Sequence, residues 1–173
     1  MTERYPWYDL IEGGELEQGD IIESCPVSVA TETETTDGRW KLQWEERDLI
    51  VLTQSCDLVK GREKVSEVLM AAVWKQSELN GHLATTKGLE DARRGNLPGV
   101  HLLASSEFVG TVSEIRVVDF RRVSVLPLTF VRKRILTQQR RVRLLPPYRE
   151  HLSQAFARFF MRVGLPVDIP AFR

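Results

Sequence analysis

Apolar and polar residues alternate most clearly after the turn signal Asp37–Gly38. Trp40, Leu42 and Trp44 are separated by charged or amide side chains, which is the period of a β-strand with one apolar face. The stretch before the turn is rich in Val and Thr, residues that are enriched in strands. The pattern therefore predicts a β-hairpin over residues 26–46.

Two longer runs are apolar at nearly every position, which is typical of strands buried on both faces. They are Leu49–Thr53 and Val65–Val73, the latter in its second half. Residues 115–118 and 123–126 predict two short strands or one bent strand, and 142–145 predicts a last short strand. We therefore expect a β-sheet at the centre of the domain.

The clearest helix is predicted over residues 148–163, after a pair of prolines and before Gly164, a natural helix stop. Its apolar side chains follow the i, i+3, i+4, i+7 spacing. The stripe comprises Leu152, Ala155, Phe156, Phe159 and Val163. One face of this helix is too apolar to face water, so we expect it to close the core with Leu152, Phe156 and Phe159 buried.

Two shorter helices are predicted, one between Thr86 and Gly95 and one after Pro127. Together these patterns predict an α+β fold. We expect a small, strongly bent, barrel-like sheet with short helices, closed by the C-terminal amphipathic helix. Without repeats or a linker, residues 1–173 are interpreted as a single domain.

The overall composition is that of an ordinary globular domain: 42% of the 173 residues are hydrophobic and 28% are charged. No apolar run is long enough to span a bilayer, and the first residues do not have the apolar core of a signal peptide. A soluble, cytoplasmic protein is therefore predicted. We expect Cys25 and Cys56 to be reduced thiols that are not bonded to each other.

The net charge of zero conceals a strong asymmetry along the chain. Residues 1–60 carry 14 acidic and 5 basic side chains, whereas residues 116–173 carry 3 acidic and 13 basic ones. The acidic part could pack beside the basic part so that the charges cancel, or the basic part could expose a patch that binds single-stranded RNA. The patch candidates are Arg132, Lys133, Arg134, Arg140, Arg141 and Arg143.

A dense run of small polar side chains follows the first buried strand. It contains the candidate site residues Thr53, Gln54, Cys56 and Asp57. A catalytic cysteine needs an imidazole near its sulfur, and only the fold could bring His101 or His151 there. The competing interpretation is a buried cysteine at a turn stabilised by Asp57. The three histidines have no metal-ligand spacing, so no metal or cofactor is predicted.

Four segments, in this order, resemble the MazF/PemK (Kid)-like toxins, the ribonuclease halves of bacterial toxin–antitoxin pairs. They are Gln18–Ile22, Arg47–Thr53, Glu67–Val73 and Val117–Phe120, the last followed by a basic segment and a closing helix that ends in Gly–Leu. Together they span most of the chain. The extra segments, relative to that family, are residues 1–17 and 75–110.

The resemblance implies an SH3-like barrel that cleaves single-stranded RNA by metal-independent acid–base chemistry, as a possible homodimer with an antitoxin-like partner. It implies Arg47 as the cation at the scissile phosphate and Ser66 or Glu67 as the second catalytic group. The sequence departs from the family pattern at two positions. Asp48 replaces the proline after the arginine, and Glu67 stands where the catalytic threonine would fall.

Three functional hypotheses follow. The first is an RNA-directed protein, either a toxin-type endoribonuclease or a diverged relative that only binds RNA. The second is a non-catalytic SH3-like module that binds a protein partner, and the third is a cysteine hydrolase using Cys56. Convergence of Arg47 with Ser66 and Glu67 at a concave basic site would favour the first, whereas Arg47 held among carboxylates would favour the second.

Overall fold

The computed structural model of the chain describes residues 5–34, 39–108, 110–111 and 113–161. Within these residues the fold is α+β, as predicted. The strands are β1 (Tyr8–Ile11), β2 (Ile21–Glu34), β3 (Trp40–Val51), β4 (Glu67–Lys75), β5 (Val100–Leu103), β6 (Arg116–Pro127) and β7 (Arg141–Leu144). The α-helices are α1 (Thr86–Arg93), α2 (Leu128–Thr137) and α3 (Tyr148–Phe160).

The described strands form one five-stranded antiparallel sheet, in the order β2-β3-β4-β6-β5, and one two-stranded sheet of β1 and β7. The larger sheet is open, because its edge strands β2 and β5 do not pair with each other. A single bridge between Asp20 and Arg143 links it to the β1–β7 ribbon. The predicted closed barrel is therefore not found among the described strands, since the hydrogen-bond ladder does not return to its start.

The core lies on both faces of the five-stranded sheet. Leu49 and Val51 pack on the side covered by α2, whereas Ile50 packs on the side covered by α3. A strand whose successive residues are all buried must lie between two layers, because its side chains alternate between faces. The continuous apolar run in β3 thus has the two-sided burial that the sequence predicts.

Most predicted elements are present, with shifted ends. The hairpin is confirmed on both sides of its turn, where Glu34 pairs with Trp40, and residues 35–38 lie outside the described residues. Residues 116–127 form one bent strand, in which the register jumps between the pairs Ala71–Val123 and Ala72–Asp119. The two strands that the sequence analysis missed are β1 and β5, each only four residues long.

The C-terminal helix closes the core less completely than predicted. Leu152 is fully buried, but Phe156 and Phe159 are only partly buried and pack around Phe120. The helix ends at Phe160, and Val163 and Gly164 lie outside the described residues. Within the described part of the chain, no helix is long and apolar enough to cross a membrane.

Candidate functional site: the groove along helix α3

Arg47, Ser66 and Glu67 are not brought together by the fold. The register that pairs Asp48 with Val73 places Arg47 near one end of β4, while Ser66 and Glu67 lie at the other end. Six residues of extended strand separate these points by roughly 20 Å. Arg47 instead donates from Nε and Nη2 to the Glu45 carboxylate, at 3.1 and 2.6 Å. These hydrogen bonds lower the pKa of Glu45 below its usual value.

Most of the predicted basic patch is used inside the molecule. The side chains of Arg141 and Arg143 are 1% and 9% exposed, and both bind the Asp20 carboxylate, which is itself fully buried. Arg143 also pairs with Glu17 at 2.6 Å. The acidic first part of the chain thus packs against the basic last part. These two arginines connect β7 to the segment just before β2.

The α2 arginines are engaged in a similar way. Arg132 pairs with Glu63 and donates to the carbonyl of Leu58. Arg134 donates to the carbonyls of Glu23 and Ser24, where the register of β2 against β3 shifts. Of the predicted patch, Lys133 and Arg140 remain exposed. They do not form an extended cationic surface by themselves.

We call Asp20, Arg141 and Arg143 the ionic cluster and residues 53–57 the polar turn. The segment just before Asp20 holds the polar turn in place. Gly19 donates to the carbonyl of Val51 and accepts from the amide of Leu144, so the segment before β2 bridges β3 and β7. Gln18 then binds the turn twice: its backbone amide donates to Ser55 Oγ at 3.1 Å, and its Nε2 donates to the carbonyl of Leu52 at 2.8 Å. The residues after β3 are therefore held rigidly at the surface.

Within that turn, Thr53 is structural and Cys56 is exposed. Thr53 Oγ1 accepts from the amide of Leu69 at 2.8 Å. Among the described residues, the only hydrogen-bond partner of Cys56 Sγ is Asp57 Oδ1, at 3.5 Å, and Asp57 in turn pairs with Lys64. The described residues thus contain no cysteine–histidine pair at Cys56. The interpretation of Cys56 as a buried cysteine was wrong.

The buried thiol belongs to Cys25, whose pKa is raised to about 11 by burial. Both cysteines are free, as predicted. We expect a thiol-specific reagent to modify one cysteine rapidly in the native protein and both in denaturant, because only the Cys56 thiol is accessible. Peptide mapping of the modified protein checks this. Rapid native labelling of Cys25 would contradict it.

The polar turn faces the beginning of α3 across an open groove of about 400 Å³. From the turn side this groove is lined by Gln54, Ser55 and Cys56. From α3 it is lined by Arg149, Glu150, Ser153 and Gln154. A second depression of about 380 Å³ lies between α3 and the segment containing α1 and β5, and Gln154 lines both depressions. We call the two together the α3 groove.

The second depression is rich in cationic and titratable side chains. It is lined by Arg93, Arg94, His101, His151, Gln154 and Arg158, among others. Arg93 and Arg94 share the Glu90 carboxylate. In the described part of the chain, Arg158 has no ion-pair partner. The depression therefore holds more positive than negative groups and suits an anionic ligand.

His101 is the most unusual side chain of this depression. Its Nε2 is buried and has no hydrogen-bond partner among the described residues. Burial, with a smaller contribution from the charge of His151, lowers the pKa of His101 to about 4. Nε2 has almost no accessible surface, but the His101 side chain lines the depression, so a small rotation of its ring would bring the unpaired nitrogen to a group bound there.

The sequence pattern puts His151, Gln154 and Arg158 on or beside the polar face of the helix, where they could line a groove or simply face water, and the structure places all three in the lining of this depression. The opposite wall comes from α1 and β5, about fifty residues earlier in the chain, and no sequence spacing links the two. Among the described residues, no group of three or more His, Cys, Asp or Glu side chains is arranged to hold a metal ion.

Comparisons with known proteins do not identify a function for the α3 groove. The chain matches no protein-family model, and no curated protein matches it either. The resemblance to the MazF/PemK-like toxins accordingly stays a prediction from the sequence.

Proposed function

We propose that the protein binds single-stranded RNA along the α3 groove, with a backbone phosphate in the depression formed by His101, His151 and Arg158. The unpaired Nε2 of His101 carries the proposal, because a small rotation of the buried ring towards the depression would let a phosphate oxygen give it the partner that it lacks among the described residues. Arg158 would supply a charge-assisted hydrogen bond to the same phosphate.

The adjoining part of the groove supports RNA rather than a free anion. Gln54, Ser55, Ser153 and Gln154 offer amide and hydroxyl groups that can hydrogen-bond to the edges of unpaired bases. Two adjoining depressions of about 400 and 380 Å³ suit successive nucleotides of one strand, whereas a duplex would not enter them. Single-stranded RNA commonly binds in such a groove, with cations on the backbone and polar groups on the bases.

The proposal concerns binding and not cleavage at the residues implied by the toxin resemblance. Arg47 is paired with Glu45 and lies far from Ser66 and Glu67 along β4. Kinship with the SH3-like toxin barrel is proposed only as a distant one, supported by the order of the four sequence segments. A cytoplasmic location is likewise proposed, since two free thiols suit a reducing compartment.

The test is a titration of a dye-labelled single-stranded RNA at low salt. The unmodified protein should bind it saturably, with an affinity that falls steeply as salt rises. Arg158→Ala should weaken binding about tenfold for all sequences alike and flatten the salt dependence, because phosphate contacts carry no sequence information. Arg140→Ala is the matched control, since Arg140 is exposed but does not line the groove.

Two results would count against this function. The first is an absence of saturable binding by the unmodified protein at low salt. The second is equal weakening by Arg158→Ala and Arg140→Ala, which would indicate general attraction between the RNA and surface charge. Replacing Arg140, Arg141 and Arg143 together would not be informative, because two of them are buried on Asp20.

The second candidate function, a non-catalytic module that binds a protein partner, is favoured by a different surface. Three large apolar side chains of β3 are exposed. Because they lie on the hairpin and not on α3, the two functions do not exclude each other.

A further inference from the structure

The outer part of the β2–β3 hairpin has an exposed apolar face. We call Val27–Glu34 of β2 and Trp40–Glu46 of β3 the arm. Trp40, Leu42 and Trp44 alternate along β3 on one face of the arm, and they are 59%, 71% and 76% exposed. Since a tryptophan presents roughly 150–250 Å² of surface, together they expose roughly 400 Å². An apolar patch of roughly 400 Å² is in the range of the largest patch on a typical monomer, and such a patch is often functional.

The same segment has an unpaired edge. β3 pairs with β2 along the arm, but β4 pairs with β3 only from Asp48 to Val51. In the described part of the chain, no strand pairs with the outer edge of β3 over residues 40–46. Backbone N–H and C=O groups at such an edge are free to pair with another strand. An apolar face beside a free edge fits an added β-strand.

We propose that the arm pairs with the arm of a second copy of this chain, with the two β3 strands antiparallel about Gln43. Lys41 and Glu45 are each two residues from Gln43, so Lys41 then lies opposite the partner's Glu45. The two side chains are on the same face of the paired strands, as opposite residues of an antiparallel pair always are. On the apolar face, Leu42 lies opposite the partner's Trp44. A two-fold axis repeats both pairs, as an interface between identical subunits requires.

Charge complementarity within one strand is what identifies the occupant as a second copy. Lys41 and Glu45 are equally distant from Gln43, so these two charges are complementary to each other when the strand is reversed, while Trp40 falls opposite the partner's Glu46. Glu45 is already oriented by Arg47 and by Gln43 Nε2, which donates to its Oε1 at 3.2 Å. A strand of an unrelated protein would gain nothing from this symmetry. This pairing does not depend on the proposed binding of RNA.

Two charge reversals test the pairing. Lys41→Glu places two carboxylates opposite each other twice, and Glu45→Lys places two ammonium groups opposite each other twice. We expect each variant alone to dimerise at least about tenfold more weakly than the unmodified protein, since two pairs change from attraction to repulsion. An equimolar mixture of the two should dimerise again, because every pair in the mixed dimer is complementary.

Sedimentation velocity measures the dimer against the monomer mass of 19.9 kDa. Lys60→Glu is the control, as an exposed lysine outside the arm. Circular dichroism confirms that each variant is folded. A zero-length carbodiimide cross-link between Lys41 and Glu45 of separate chains would support the register. A monomeric unmodified protein at hundreds of micromolar would overturn the proposal, as would two reversed variants that dimerise normally or a mixture that does not recover.

Discussion

Replacing Asp20 by Asn should lower the free energy of unfolding by about 3–5 kcal/mol. Its carboxylate is fully buried and accepts hydrogen bonds from Nε of Arg141 and from Nε and Nη2 of Arg143. Asparagine keeps the shape but removes the negative charge, which leaves two buried guanidinium groups beside a neutral amide. Breaking a buried ion pair from one side is costly because the remaining charge has already left water.

Replacing Asp20 should also disturb hydrogen bonds that its carboxylate and the two arginines make with the backbone. Arg141 also donates to the carbonyls of Gly13 and Glu15, and Arg143 donates to that of Glu15. Asp20 Oδ2 accepts from the amide of Glu17, which closes the turn before β2. The carboxylate thus organises the segment that holds the polar turn after β3, and its replacement should weaken RNA binding in the α3 groove as well as stability.

Asp119→Asn is the matched control, and urea denaturation provides the measurement. Asp119 is also buried, at 5% exposure, and also accepts from an arginine, but the Arg121 side chain is 60% exposed and can turn to water. We expect Asp119→Asn to cost about 1–1.5 kcal/mol. A loss of under about 1 kcal/mol for Asp20→Asn, or equal losses for both variants, would contradict a central role for the buried cluster.

The longer strands could be predicted from the sequence, unlike the four-residue strands β1 and β5, but the surroundings of each strand could not. The continuous apolar run of β3 requires neighbours on both faces, and Leu49–Val51 has them. The alternation of Trp40, Leu42 and Trp44 correctly indicates a strand with one apolar face, yet that face is exposed. Only the register shows that β4 stops pairing at Asp48 and leaves the arm uncovered.

The sequence also does not show which charged residues pair with each other in the fold. The excess of basic residues in the last third of the chain fits an exposed patch and an internal cluster equally well. Arg141 meets Asp20 across 121 positions, a distance at which composition carries no information about pairing. The α3 groove could not be predicted for a similar reason. His101 is on β5 and His151 is on α3, and neither position belongs to a recognisable spacing.

Between about pH 7.5 and pH 5, His101 should account for a loss of about 2 kcal/mol in the free energy of unfolding. Its pKa in the folded protein is lowered by burial to about 4, below the ordinary value of 6.5 for histidine. As the pH falls below about 6.5, the unfolded chain takes up a proton at this residue, while the folded protein does not until about pH 4. Proton uptake by His101 therefore stabilises the unfolded chain as the pH falls below about 6.5. The folded protein gains no matching stabilisation at this residue until about pH 4.

His101→Gln removes this titration and should flatten the dependence of stability on pH by the same amount, or roughly 4–8 °C in Tm for a chain of this size. His82→Gln is the control, because His82 is exposed and pairs with Asp91, so the steep pH dependence should persist. Thermal melts of the three proteins across this pH range give the comparison. Parallel curves for the unmodified and His101→Gln proteins would show that His101 is not held neutral by burial.

The same titration links stability to the α3 groove. An anion at Nε2 would favour the protonated imidazole and raise the pKa of His101, so RNA binding should be accompanied by proton uptake. We therefore expect RNA affinity to rise as the pH is lowered from about 7.5 towards 5.5 while the domain is still folded. The rise should be smaller in His101→Gln, because that variant removes one of the two imidazoles that line the depression. Titrations in buffers of different ionisation enthalpy would measure the proton uptake directly. Affinity that does not change with pH would place the phosphate elsewhere in the groove.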